Sequence, residues 1–104
     1  MPTHQWLFEF SDEARDKLKK LSSTDRRAMF TTIAVLLSSS NPLAAPGTKK
    51  LVGSDGQWRI RQGDYRLVIS LETQVIVKDK HTYKGLLRIE DIDHRSKIYK
   101  KGGN

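Results

Sequence analysis

Three arginines, Arg59, Arg61 and Arg66, flank the dipeptide Gly63-Asp64 in the stretch from Gln57 to Ser70. Guanidinium forks bind phosphate oxygens two at a time, so arginines gathered on one surface are the residue types of a phosphate site. Register decides whether they gather. A two-residue Gly-x loop signals a type II′ hairpin. With Gly63-Asp64 as the loop, Gln62 faces Tyr65, Arg61 faces Arg66, Ile60 faces Leu67, Arg59 faces Val68 and Trp58 faces Ile69. Residues directly opposite share a face. One face then carries Trp58, Ile60, Leu67 and Ile69, the core side, and the other carries Arg59, Arg61, Arg66 and Val68. A three-residue loop would set Arg66 opposite Ile60, which the hydrophobic pattern rejects. Like charges directly opposite weaken a hairpin, so stability alone gives little reason for the pair. Spacing by itself leaves two readings open, a phosphate site and a solvated sheet face that happens to be basic.

A second cluster closes the chain: Asp93, His94, Arg95, Lys97, Tyr99, Lys100 and Lys101. It places a group that titrates near neutrality, His94, beside an arginine, a phenol and several lysines. Taken singly, His94 reads as a surface histidine and Tyr99 as a packing residue. His4 and His81 have no supporting pattern and are assigned no role. The chain has no cysteine, which excludes disulfides, Cys-based zinc sites and Cys nucleophiles and fits a cytoplasmic protein. No acidic cluster shows metal-ligand spacing, so the expectation is chemistry without metal or cofactor.

The elements that hold these residues are legible in outline. Gln5 to Phe10 alternates weakly and reads as a strand. Ser11 offers an N-cap, with Asp12 and Glu13 in the first helical turn. Ala14, Leu18 and Leu21 form the apolar stripe of a short helix. Ser22-Ser23-Thr24 breaks it, and Ser23 or Thr24 can cap a second helix over about residues 25–38. Phe30, Ile33, Ala34 and Leu37 are its expected buried stripe, widened by Met29 and Leu36. Pro42 and Gly47 mark a loop. Lys50 to Gly53 leads to a turn over 54–56. After the hairpin come strands at Val75 to Val77 and Leu86 to Ile92. The expected fold is α+β: an N-terminal strand, a helical hairpin, then a three- to four-stranded antiparallel sheet with the helices on one face.

The chain of 104 residues suits one domain, expected over 1–101 with a frayed tail at 102–104. Its longest apolar run, Ile33 to Leu37, is far shorter than the ~20 residues of a membrane helix, and the N-terminus lacks the pattern of a signal peptide. No membrane partner is expected on those grounds. Nineteen Lys+Arg against twelve Asp+Glu give a net charge of +7. Residues 1–56 hold 8 basic and 6 acidic groups, and residues 57–104 hold 11 and 6, so the excess lies in the second half. A small domain this basic suits a polyanionic partner.

The segments Lys50-Leu51-Val52-Gly53, Trp58 to Arg61, Gly63 to Val68, and His94 to Tyr99 together resemble the RelE/ParE superfamily of bacterial type II toxins. The resemblance covers nearly the whole chain, and the RelE-like branch is favoured. It implies a ribosome-dependent endoribonuclease that cuts mRNA and stops translation. Arg59, Arg61 and Arg66 would neutralise phosphate charge, Tyr99 would be the general base, and Arg95 or His94 would serve the leaving oxygen. Lys49, Lys50, Lys78, Lys80, Lys84, Lys97, Lys100 and Lys101 would contact RNA or the ribosome. A cognate RelB-like antitoxin, partly disordered until bound, is implied as partner. ParE-like members share the fold but inhibit DNA gyrase, and a non-catalytic nucleic-acid-binding module is a third reading. Two departures stand out. The segment Lys78 to Gly85 is longer than usual and reads as a basic hairpin tip touching ribosomal RNA. Asp93 replaces the usual glycine, where it could orient His94 or limit access to it.

Overall fold

The computed structural model describes residues 5–53 and 56–94. The chain runs β1 (Leu7–Phe10), α1 (Asp12–Lys20), α2 (Ser23–Ser38), a 3₁₀ turn (Pro42–Ala44), β2 (Thr48–Lys50), β3 (Gln57–Gln62), β4 (Tyr65–Glu72), β5 (Ile76–Lys78), β6 (His81–Tyr83) and β7 (Leu86–His94). Five strands form one sheet in the order β1-β7-β4-β3-β2, and β5 and β6 form a separate hairpin. The expected α+β arrangement holds, but the strand expected at Val75 to Val77 to continue the sheet lies, as Ile76–Lys78, in the separate hairpin, and the main sheet has two additions. β1 joins the sheet by pairing in parallel with β7, and β2 extends the far edge by pairing with β3.

The helices start where short side chains can satisfy their first amide groups. Ser11 accepts a hydrogen bond from the Ala14 amide, and Ser22 accepts one from the Asp25 amide. Ser22 therefore caps α2, one residue before the expected Ser23 or Thr24. At the other ends, free carbonyls are met by side chains from elsewhere. Arg26 donates to the carbonyls of Leu18, Lys19 and Leu21 at the end of α1. Gln5 donates to Ser38 O, and Trp6 Nε1 to Ser39 O. These bonds tie the N-terminal segment to α2.

The core lies between the helices and one sheet face. Ala14, Leu18, Met29, Ile33, Leu36 and Leu37 pack on Ile60, Leu67, Ile69, Leu87, Ile89 and Ile92. The stripe of α2 is rotated from the expected one: Phe30 is 46% exposed and Ala34 is also exposed. The reason is that α2 is apolar around much of its circumference. Met29, Ile33, Leu36 and Leu37 also follow a helical period, and the sheet selects that stripe.

The β3–β4 hairpin has the expected register throughout, from Gln62 opposite Tyr65 to Trp58 opposite Ile69. Gly63 takes φ 58° while Asp64 keeps a negative φ, as a type II′ turn requires. β7 carries the one irregularity that matters for the site. Val68 pairs with Asp91 but Ile69 pairs with Ile89, so Glu90 is an extra residue in β7. The bulge switches the phase of the strand. Leu87 and Ile89 face the core before it, and Ile92 faces the core after it. Asp91 and Asp93 are thereby turned to the sheet face away from the core.

Candidate nucleic-acid site on the open sheet face

Lys49 from β2, Arg59 and Arg61 from β3, and Arg66 from β4 line a cleft of about 200 Å³ together with Gly47. Lys49 sits directly opposite Arg59, and Arg61 directly opposite Arg66. The arginines expected to gather do gather, on the face away from Ile60 and Leu67. Arg66 is the deepest of them, 9% exposed, and its Nη1 donates to its neighbour Tyr65 O at 3.4 Å. Arg61 is exposed and Arg59 is half-buried. Four cations on adjacent strands concentrate positive charge in this one cleft.

The same sheet face changes sign toward β7. Asp93 lies opposite Arg66, and Asp91 opposite Val68. Lys17 of α1 reaches both, with Nζ 2.7 Å from Asp91 Oδ1 and 2.9 Å from Asp93 Oδ1. Burial would lower the Lys17 pKa, but hydrogen bonds and charge from Asp91 and Asp93 outweigh it and leave the pKa raised. Burial would likewise raise that of Asp91. The Lys17 hydrogen bond, the Ile92 amide and the Lys17 charge outweigh this and hold it below the usual carboxylate range. Beyond them opens a wider cleft of about 560 Å³, whose charged lining is Asp12, Glu13, Arg88, Glu90 and Asp91. Arg88 there is engaged by Glu9 and Glu90.

His94 does not join the arginines. It lies opposite Tyr65, with the two rings edge to face at 5.0 Å between centroids. Both line a recess of about 260 Å³ with Asp25, Ala28 and Met29 of α2. The Tyr65 hydroxyl donates to Asp25 Oδ2 at 3.1 Å. Burial first, then that bond and the charges of Asp25 and Asp64, push the Tyr65 pKa up. His94 is therefore on the helix-covered face, and the sheet separates it from Arg59, Arg61 and Arg66. The expected role of His94 at a leaving oxygen in that cleft does not suit its position. Nor does Asp93 orient His94, because adjacent residues of a strand point to opposite faces.

The lysines divide in the same way. Lys49 lines the arginine cleft, whereas Lys50 pairs with Trp58 on the core side of the sheet edge. Lys78, Lys80 and Lys84 belong to the β5–β6 hairpin and its flank and are exposed. They lie past Glu72, six strand residues from Arg66, roughly 20 Å away along the sheet. Arg95, Lys97, Tyr99, Lys100 and Lys101 lie outside the described residues, as do the tail at 102–104 and residues 54 and 55 of the expected turn. Lys17 and Asp91 were not singled out by the sequence. A signal existed: Ile89 and Ile92 are three apart, a step that strict alternation cannot make without a bulge.

No family model and no curated protein matches the chain. Solved structures do. The RelE of the Methanococcus jannaschii RelB-RelE antitoxin-toxin complex is 22% identical, with a TM-score of 0.62 over 88% of this chain and 95% of that one. The Pyrococcus horikoshii RelE-RelB complex gives 20% identity and a TM-score of 0.63, covering 88% of this chain and 96% of that one. The isolated Escherichia coli RelE toxin gives 22% and 0.60, covering 94% of this chain and 95% of that one. The likeness spans nearly the full length of each chain. It is a likeness of fold: this chain has the α+β fold of the RelE toxins.

Proposed function

We propose that this chain is the toxin of a toxin–antitoxin pair and acts as a ribosome-dependent mRNA endoribonuclease in the cytoplasm. The observation that carries the reading is the cleft of Lys49, Arg59, Arg61 and Arg66 on the open sheet face of a RelE-like fold. Cleavage by the 2′-hydroxyl needs that hydroxyl deprotonated, the charge on the phosphorane neutralised, and the 5′-oxygen protonated as it leaves. The four cations supply the second requirement. Arg66, being the most buried, acts in the lowest dielectric and stabilises developing charge most strongly. By the resemblance of the sequence, Tyr99 is the base and Arg95 serves the leaving oxygen. A phenol with a reference pKa of about 10 works as a base only beside cations that lower it, so this reading requires Tyr99 to act next to such cations. A shallow cleft of this size grips one phosphate, not a strand, which favours a ribosome that holds the mRNA in place. The Methanococcus jannaschii and Pyrococcus horikoshii structures are complexes of RelE with RelB, and an antitoxin of that kind is the partner proposed here.

The test is target assignment in a bacterial extract carrying both a translation reporter and a DNA gyrase supercoiling reporter. The toxin should stop translation and leave supercoiling intact, and Arg66→Ala should abolish the effect. Supercoiling stopped with mRNA intact would replace this reading with gyrase inhibition.

A further inference from the structure

The open sheet face carries two fields of opposite sign. Arg66, Val68 and Ser70 alternate along β4 onto that face, and Arg61, Arg59 and Gln57 stand opposite them on β3. The change of sign falls at Val68, whose neighbour on β3 is Arg59 and whose neighbour on β7 is Asp91. Two strand spacings put those two residues about 10 Å apart. Past Val68, the wider cleft of about 560 Å³ is walled by Asp12, Glu13, Glu90 and Asp91. With Glu9 and Asp93 beside them, six of the chain's twelve acidic residues stand along β7, the end of β1 and the start of α1.

Backbone and side-chain bonds hold this acidic wall in place. The Ser11 amide donates to Ile89 O and the Ser11 hydroxyl to Glu90 O, so α1 starts against the bulge and its first turn borders the cleft. The Glu90 carboxylate accepts from Ser70 Oγ at 2.8 Å and from Arg88 Nε at 2.9 Å. Asp91 accepts from the Ile92 amide at 2.9 Å. Among the described residues, the cations paired with the wall are Lys17, shared by Asp91 and Asp93, and Arg88, shared by Glu9 and Glu90. Asp12 and Glu13 are exposed and enter none of these pairs. The wall therefore keeps a negative excess beside the arginines.

We propose that this wall is a specificity element: Asp12, Glu13, Glu90 and Asp91 confine RNA to the arginine corner of the face and keep the hold on free RNA weak. This rests on the reading of the arginine cleft as an RNA phosphate site and deepens it. A strand with one phosphate in that cleft meets Lys49 on the β2 side and carboxylates on the β7 side. Its next phosphates are repelled if they run toward β7, at a range of about one screening length in 0.1 M salt. The strand is thus steered off the face over β2, and the footprint stays short. A short footprint leaves the ribosome to present the message.

The experiment measures binding of a short single-stranded RNA by fluorescence anisotropy across a salt series. Asp12→Asn with Glu13→Gln removes the two exposed carboxylates of the wall and leaves the Ser11 cap in place. Two unit charges about 10 Å from a bound phosphate, acting through water, correspond to about threefold tighter binding at low salt. Asp12→Asn with Glu13→Lys should open a further phosphate contact and steepen the slope of log K against log salt by about 0.7. Glu72→Gln with Asp79→Asn removes the same number of charges at exposed positions off both clefts, asparagine tolerating the positive φ at 79, and should leave affinity unchanged. Wall variants that bind no tighter than the unaltered protein would overturn the proposal. So would an equal gain in the Glu72 and Asp79 pair, since net charge alone would then be acting. Binding without salt dependence in every variant would instead overturn the phosphate reading beneath it.

Discussion

Replacing Arg61 by glutamine should make the protein more stable and less active at once. Arg61 is exposed, directly opposite Arg66, and takes part in no ion pair among the described residues. Like charges in that position cost about 0.2–1 kcal/mol. Glutamine keeps part of the stem that packs near Gly47 and removes the charge, so that cost is recovered. For a domain of this size about 1 kcal/mol moves the melting temperature by roughly 4–8 °C, so the expected rise is about 1–8 °C at low ionic strength. The repulsion is electrostatic, so the gain should shrink toward zero near 1 M salt, where the screening length falls to about 3 Å. Calorimetric melting of both proteins at low and high salt measures it, and translation inhibition by the same variant should fall. An unchanged or lower melting temperature at low salt would refute the reasoning. So would a gain that survives high salt, which would mean the arginine pair is not strained by charge.

Three other perturbations have outcomes fixed by the geometry. Gly85→Ala would set a Cβ 1.8 Å from Glu72 O and 3.0 Å from Thr73 Cα, both backbone atoms, so β4 and the start of β7 must part. Urea unfolding should show a loss of about 3 kcal/mol, and a loss under 1 kcal/mol would contradict the close approach. Asp79 and Lys80 both take positive φ at the β5–β6 turn, which an Asp-Gly pair adopts more readily. Lys80→Gly should therefore stabilise that hairpin by about 1 kcal/mol, read as slower amide exchange in β5 and β6, with unchanged exchange the contrary result. Asp91 has a folded pKa below its unfolded value, so its contribution is present above the unfolded pKa and lost as pH falls through the folded one. Unfolding free energy should drop less in Asp91→Asn than in the unaltered protein on acidification below about pH 4, and parallel curves would contradict this.

How much of this was legible in the sequence differs from element to element. The β3–β4 register was, because alternation and the Gly63-Asp64 loop leave only one pairing that keeps Arg66 out of the apolar face. β1 was legible as a strand but its partner was not, since parallel pairing with β7 is a long-range event with no local signature. Thr48-Lys49-Lys50 has no apolar alternation and becomes a strand only because β3 offers it an edge. The face of His94 was missed for a definite reason. Continuing the phase of Leu87 and Ile89 would point Asp91 and Asp93 at the core and His94 at the arginines. The bulge at Glu90 reverses this, burying Ile92 and placing His94 against Tyr65. Phe30 shows the limit of periodicity in a helix apolar on several sides.

The most direct measurement is end-mapping of a translated mRNA with and without ribosomes in the presence of the purified protein. The proposed function predicts cuts only on ribosome-bound message, with 5′-hydroxyl ends facing 2′,3′-cyclic phosphates, as attack by the neighbouring 2′-hydroxyl requires. It also predicts that Arg66→Ala leaves the message intact. Ends carrying 5′-phosphate, cutting of naked RNA at the same sites, or undiminished cutting by Arg66→Ala would contradict it.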